Sequence, residues 1–260
     1  MITNYSQILD MPISDKTAEE IERIVKYIQH SVIFKPLPND NPFGFGLADY
    51  TTYPEWTVSS IKDLPQKSFE ANLLHELYHL CQVVECFPTT ETKVQPNINQ
   101  HDQSFLDGVG SVIVSLILDL DVCDRIDSFG LNSNYFFDKR YNQAMSFHLD
   151  ETLDPKKHKD SFVSMTVRIA GIILQNKRWQ SNNVFKHFQP KNPLIVQKAK
   201  RLANKIKKCD HNTSFGCLEC LITIYDYLDI WDWQLIHFQN NELATSEQAH
   251  NFLTQYRQNF

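Results

Sequence analysis

Leu73, Leu74, Leu77 and Leu80 surround His75, Glu76 and His79 in a run that starts near Phe69 and is closed by Pro88. A stretch this apolar has to be buried, and its spacing is that of a helix over about 68–86, with Ser68 as the cap and Pro88 stopping it soon after Cys86. A helix turns about 100° per residue, so His75 and His79 project about 40° apart, one turn separated. Two imidazoles placed this way can hold one metal ion. Glu76 lies on the flank of that face, where a carboxylate can reach a water without itself being a ligand. Two neutral nitrogen donors and an adjacent base suit Zn²⁺, which lowers the pKa of water it binds to about 7. The alternative is a helix carrying two ordinary histidines. Random ordering of the same residues would produce the pattern in only about 2% of chains.

Composition narrows the rest. With 260 residues and 42% hydrophobic content, the chain can bury a sizeable core. Seven glycines and no Gly-rich phosphate loop remove support for nucleotide binding. A formal charge of −6 gives no electrostatic footprint for nucleic acid. The longest apolar run, Val109 to Leu118, is too short for a bilayer, which takes roughly 20 residues. Met1 to Pro12 has no basic segment followed by an apolar core. The expectation is a cytoplasmic protein without membrane association. Its six cysteines, at 81, 86, 123, 209, 217 and 220, are too sparse and irregular for a disulfide framework.

In chain order, Thr17-Ala18-Glu19-Glu20 reads as a capping box opening a helix over about 17–30. Ser31 to Phe34 is β-branched and apolar, and short strands are expected over 43–50 and 56–61, so a small sheet precedes the His75 helix. Thr89 to Gln103 reads as a polar loop that could border a cleft. Leu106 to Leu118 reads as a deeply buried helix, with Asp119, Asp121 and Asp124 at its far end. A helix is possible over 137–147, and further helices are expected over 161–178, 192–207, 216–230 and 246–257. The fold class is α+β, mainly helical, with residues 1–130 and 131–260 as two parts or as one continuous domain. Six Lys or Arg between Lys198 and Lys208 face away from Ile195, Leu202 and Ile206, as a solvated helix face would.

A catalytic zinc site takes three protein ligands and an open position, so two histidines are incomplete. Glu85 follows His75 by ten residues, where H-E-x-x-H-x-x-G-x-x-H proteins place a third ligand, but Gln82 stands where they need glycine. A carboxylate from the following helix, returning antiparallel, is the other source. Asp119 is preferred, ahead of Asp121 and Asp107, because an aspartate beside a wholly apolar run needs a reason to be there.

On these residues the chain resembles the zincin metallopeptidases, and within them the gluzincin-like arrangement of the small IrrE-like domains, over about residues 20–130. The resemblance implies zinc held by His75, His79 and a downstream acidic residue, with Glu76 activating water for hydrolysis of a peptide or protein substrate. The family's usual third-ligand glutamate has no clear counterpart, and an aspartate has to substitute. Tyr141 and His148 are available as oxyanion donors without any specific signal. A different class of function is a metal-binding regulatory or interaction module that keeps the site without turnover, although Glu76 is needed for chemistry and not for holding zinc. Cys209, His211, Cys217 and Cys220 form a second group of potential ligands. Cys217 and Cys220, however, share a helical face with Leu221 and Ile224, as small core side chains do.

Overall fold

The computed structural model describes residues 7–37, 46–50, 55–94, 100–133, 138, 141–142, 144–146, 152–174 and 178–259. The fold is α+β and mainly helical. The chain forms two compact units: Met1–Glu85 with Asp121–Tyr135, and Cys86–Leu120 with Phe136–Phe260. This partition departs from a cut at 130 in placing Cys86–Leu120 with the C-terminal residues.

In the first unit, β1 (Gln7–Ile8) and β2 (Met11–Pro12) form a minimal hairpin whose two turn residues, Leu9 and Asp10, have φ of 54° and 65°. Helix α1 (Asp15–Ile28) follows. Its cap is Ser14, whose side chain accepts from the Thr17 amide, so the helix starts two residues ahead of the capping box read from sequence. Ile21, Ile24 and Ile28 form its buried face, and Gln29 ends it with a left-handed φ of 57°. Strand β5 (Glu55–Ile61) is central, with β3 (Ser31–Leu37) parallel on one side and β4 (Gly46–Asp49) antiparallel on the other. Buried nearly throughout, β5 receives helix α2 (Gln66–Val84), and Asn72 Nδ2 donates to Ser60 Oγ at 2.7 Å. Pro65 precedes α2 and no side chain caps it, so Ser68 lies inside the helix. The Glu85 amide closes the last turn on the Cys81 carbonyl, and Cys86 turns left-handed two residues before Pro88.

Glu70 on α2 fixes the start of α1. Its carboxylate accepts from the Ser14 amide at 2.8 Å, the Ser14 hydroxyl at 2.8 Å, the Thr17 hydroxyl at 2.7 Å and Gln66 Nε2 at 2.9 Å. A negative charge at a helix N-terminus satisfies donors that have no partner within the helix.

In the second unit, the polar stretch after Pro88 begins as a strand. β6 (Thr89–Thr92) pairs with β7 (Gln234–Phe238), which continues through a tight turn into β8 (Asn241–Leu243). Four polar residues carry no hydrophobic alternation, and their partner lies far along the chain. Helix α3 (Gln100–Phe129) has 30 residues, about 45 Å at 1.5 Å each. It does not stop at the aspartates. It carries Asp119 and Asp121 in its interior, both buried, and leaves Asp124 exposed. Helices α4 (Lys159–Leu174), α5 (Arg178–Phe188), α6 (Pro193–Ile206), α7 (Ser214–Leu228) and α8 (Ser246–Asn259) complete the unit around a core that includes Ile169, Leu202, Leu221 and Phe238. The α5 helix and the β7–β8 hairpin were not expected from sequence. Of the helix expected over 137–147, residues 141–142 and 144–146 are helical, and much of the rest, like His148, falls outside the described residues. On α6 the basic face is solvated as expected, with Lys200, Arg201 and Lys205 exposed opposite buried Ile195, Leu202 and Ile206, and Lys198 and Lys205 lie over the Tyr227 ring and Lys200 over Phe185. No helix among the described residues is long and apolar enough to cross a membrane.

Candidate metal centre

Helix α2 is buried on almost every side from Phe69 to Gln82, which places His75 and Glu76 in the interior and leaves His79 partly accessible. The rings of His75 and His79 sit edge to face, 4.7 Å between centroids, as the i, i+4 spacing requires. Asp119 joins them from α3. One ligand atom from each of His75, His79 and Asp119 lies within 4.8 Å of the others, and Asp119 is itself buried. Ser115, one turn earlier, donates its hydroxyl to Asp119 Oδ2 at 3.2 Å.

The donor chemistry fits a divalent metal. His75 Nδ1 is 3.1 Å from Glu76 Oε1, and His79 Nδ1 is 2.9 Å from Gln82 Oε1. Both partners present an acceptor oxygen, an arrangement matched by an imidazole with its proton on Nδ1 and its lone pair on Nε2. Metal-binding histidines are oriented in this way in general, with the second nitrogen donating to a carboxylate or carbonyl. Two imidazoles and a carboxylate suit Zn²⁺. The same three donors also serve non-haem iron, so the donor set alone does not name the metal.

Glu76 stands outside the three-residue group. Burial pushes its carboxyl upward, but the His75 hydrogen bond, the two imidazoles and the Ala48 amide of β4 outweigh this and hold it below the ordinary carboxylate value. An ionised carboxylate at this point can orient His75 and can also accept a proton.

The other acidic candidates have separate partners. Asp121 accepts from Gln82 Nε2 at 2.8 Å and from Arg125 Nε at 3.1 Å. Glu85 is held by Arg125 through two bonds of 3.0 and 2.6 Å. Asp107 is exposed on the first turns of α3. Gln82 meets Asp121, and Arg125 meets Glu85 and also lies over the Tyr78 ring. Sequence reasoning passed over Gln82 and Arg125 as site-shaping residues. The available signals were Gln82 three residues after His79 and the i, i+4 spacing of Asp121 and Arg125. Tyr141 receives a hydrogen bond from Asn183 at 3.2 Å.

Cys217 and Cys220 are fully buried on α7. The Cys217 thiol donates to the His211 carbonyl at 3.1 Å, and a hydrogen bond from Cys220 brings the Cys209 thiol down to about 7. Among the described residues no second group of three or more potential ligands converges as His75, His79 and Asp119 do. No protein-family model, curated protein or solved structure matches this chain.

Proposed function

We propose that the protein is a zinc-dependent hydrolase of peptide bonds, of the zincin kind that its His75-Glu76-x-x-His79 segment resembles. The observation that carries this reading is the convergence of His75, His79 and Asp119 within 4.8 Å, beside the buried carboxylate of Glu76. Zinc held there would acidify water and polarise a substrate carbonyl. Glu76 would take the proton of the attacking water and return it to the leaving amine. A carboxylate offers two oxygens and about four acceptor sites, so Oε1 can keep the His75 N–H while the group accepts a proton. The substrate is a peptide or protein, and the acidic net charge supports a role without nucleic acid. The reading takes the protein as cytoplasmic, supported by the sparse and irregular spacing of its six cysteines.

One observation favours a second reading, a metal-binding module without turnover. Glu76 is already engaged by His75 and by the Ala48 amide, which is enough to explain its presence as an orienting group.

Elemental analysis of the purified protein, followed by assay of the zinc-loaded form on a mixed fluorogenic peptide library, separates the two. Hydrolysis that falls by about 100-fold or more in Glu76→Gln, with zinc retained, supports the enzyme. One equivalent of zinc without cleavage supports the binding module. Less than about a tenth of an equivalent of any transition metal, even after loading, removes both.

A further inference from the structure

We propose that Gln82 is a positioning residue for the metal centre: anchored by Asp121 and Arg125, it holds His79 with the ring proton on Nδ1 and Nε2 as the ligand atom. This rests on the metal-binding reading above. A primary amide presents one acceptor oxygen and two donor hydrogens. Gln82 Nε2 donates to Asp121 Oδ2 at 2.8 Å, which turns Oε1 toward His79 Nδ1 at 2.9 Å. With the amide locked in that sense, the imidazole can only donate through Nδ1. Asp121 is prevented from turning away by Arg125, whose Nε donates to it at 3.1 Å and whose terminal nitrogens grip Glu85.

Burial gives the chain of bonds its direction. Gln82 and Asp121 are 1% and 3% exposed, so water does not compete for either, and an amide flip would set two acceptors, Gln82 Oε1 and Asp121 Oδ2, against each other. At the outer end, Arg125 and Glu85 are each about a quarter exposed in their side chains, with 26% and 24% accessible. The bidentate pair therefore sits where a long cation can reach water, and the neutral amide sits against the ligand. Asp119 and Asp121 divide the work between them. Two residues apart on α3, they project about 160° apart, and it is Asp119 that reaches the ligand group and Asp121 that reaches the Gln82 amide.

The test is Zn²⁺ affinity of the full chain, measured by competition with a chelator. Gln82→Met removes both hydrogen bonds at similar volume and should weaken Zn²⁺ binding by about 10–100-fold, the usual effect of losing an outer hydrogen bond to a metal-binding histidine. The exchange Gln82→Glu with Asp121→Asn keeps the net charge and reverses the bond between the two side chains, yet still presents an acceptor to His79. It should bind Zn²⁺ within about threefold of the parent or more tightly. Histidine ¹⁵N NMR of the parent gives a readout that does not depend on a variant folding: His79 should carry its proton on Nδ1 before and after Zn²⁺ is added. Equal affinity in folded Gln82→Met, weak binding in the folded double exchange, or a proton on Nε2 overturns the proposal. A parent that takes up no Zn²⁺ overturns the metal-binding reading itself.

Discussion

At the scale of single residues, the partners are the discriminating fact, because Asp119, Asp121 and Glu85 are chemically alike and differ in what meets them. Asp119 has its Ser115 hydroxyl and the two imidazoles as neighbours, so Asp119→Asn removes the one negative donor of the group. We expect it to weaken Zn²⁺ by more than the roughly 100-fold upper range of an outer-bond loss, with the circular dichroism spectrum unchanged. Unaltered affinity would take Asp119 out of the site. Glu85 pairs with Arg125 in a partly exposed bridge, so Glu85→Gln should leave Zn²⁺ affinity within about threefold and cost roughly 1 kcal/mol or less of stability in urea titration. A large loss of zinc from that variant would restore the local third-ligand arrangement that Gln82 argues against.

Among the elements, α1 depends on a carboxylate that belongs to another helix. Burial pushes Glu70 upward, but the Ser14 amide, the Thr17 and Ser14 hydroxyls and the Gln66 amide prevail and hold it below the ordinary carboxylate value. A carboxyl lowered in the folded state stabilises the fold above its unfolded pKa, about 4.3, and loses that contribution as pH falls through the folded value. Glu70→Gln should therefore cost about 1–3 kcal/mol near neutrality, and the difference from the parent should shrink in acid, measured by urea unfolding at stepped pH. A gap that stays constant down to pH 3 would mean that the charge is irrelevant. On α3, a Cβ at Gly110 would come 2.5 Å from Gln234 Oε1. Gln234 is buried and reaches Thr92 Oγ1 at 3.1 Å and the Leu106 carbonyl at 3.0 Å, so it joins β6, β7 and α3. Gly110→Ala should destabilise by about 1–3 kcal/mol despite the better helix propensity of alanine, and a stabilised variant would show that the close approach is relaxed at no cost.

For the whole molecule, a metal that binds only the folded state adds to its stability by mass action. At about 100 times its Kd the gain is about 2.7 kcal/mol, equivalent to roughly 5–10 °C in Tm for a chain of this size. Zn²⁺ should produce that shift in scanning calorimetry, a chelator should reverse it, and His75→Ala with His79→Ala should abolish it; a shift that survives the double substitution would place the metal elsewhere. The placing of His75 and His79 side by side, the position of Glu76 next to them, the mainly helical fold class and the buried faces of α1 and α2 were legible in the sequence. Each depends on helical periodicity, which needs only near neighbours along the chain. The true cap of α1, the strand at Thr89–Thr92, the run of α3 past its aspartates and the choice among acidic residues were not legible, because each is decided by a partner remote in sequence. Glu70 anchors Ser14, β7 recruits β6, and Asp121 and Arg125 engage Gln82 and Glu85. By itself the sequence determined a pair of histidines with metal-ligand spacing on a buried helix. Only the tertiary structure decided that Asp119 converges with them while Asp121 and Glu85 are engaged by Gln82 and Arg125, because what a carboxylate can do depends on what packs against it, and packing brings together residues that the chain keeps far apart.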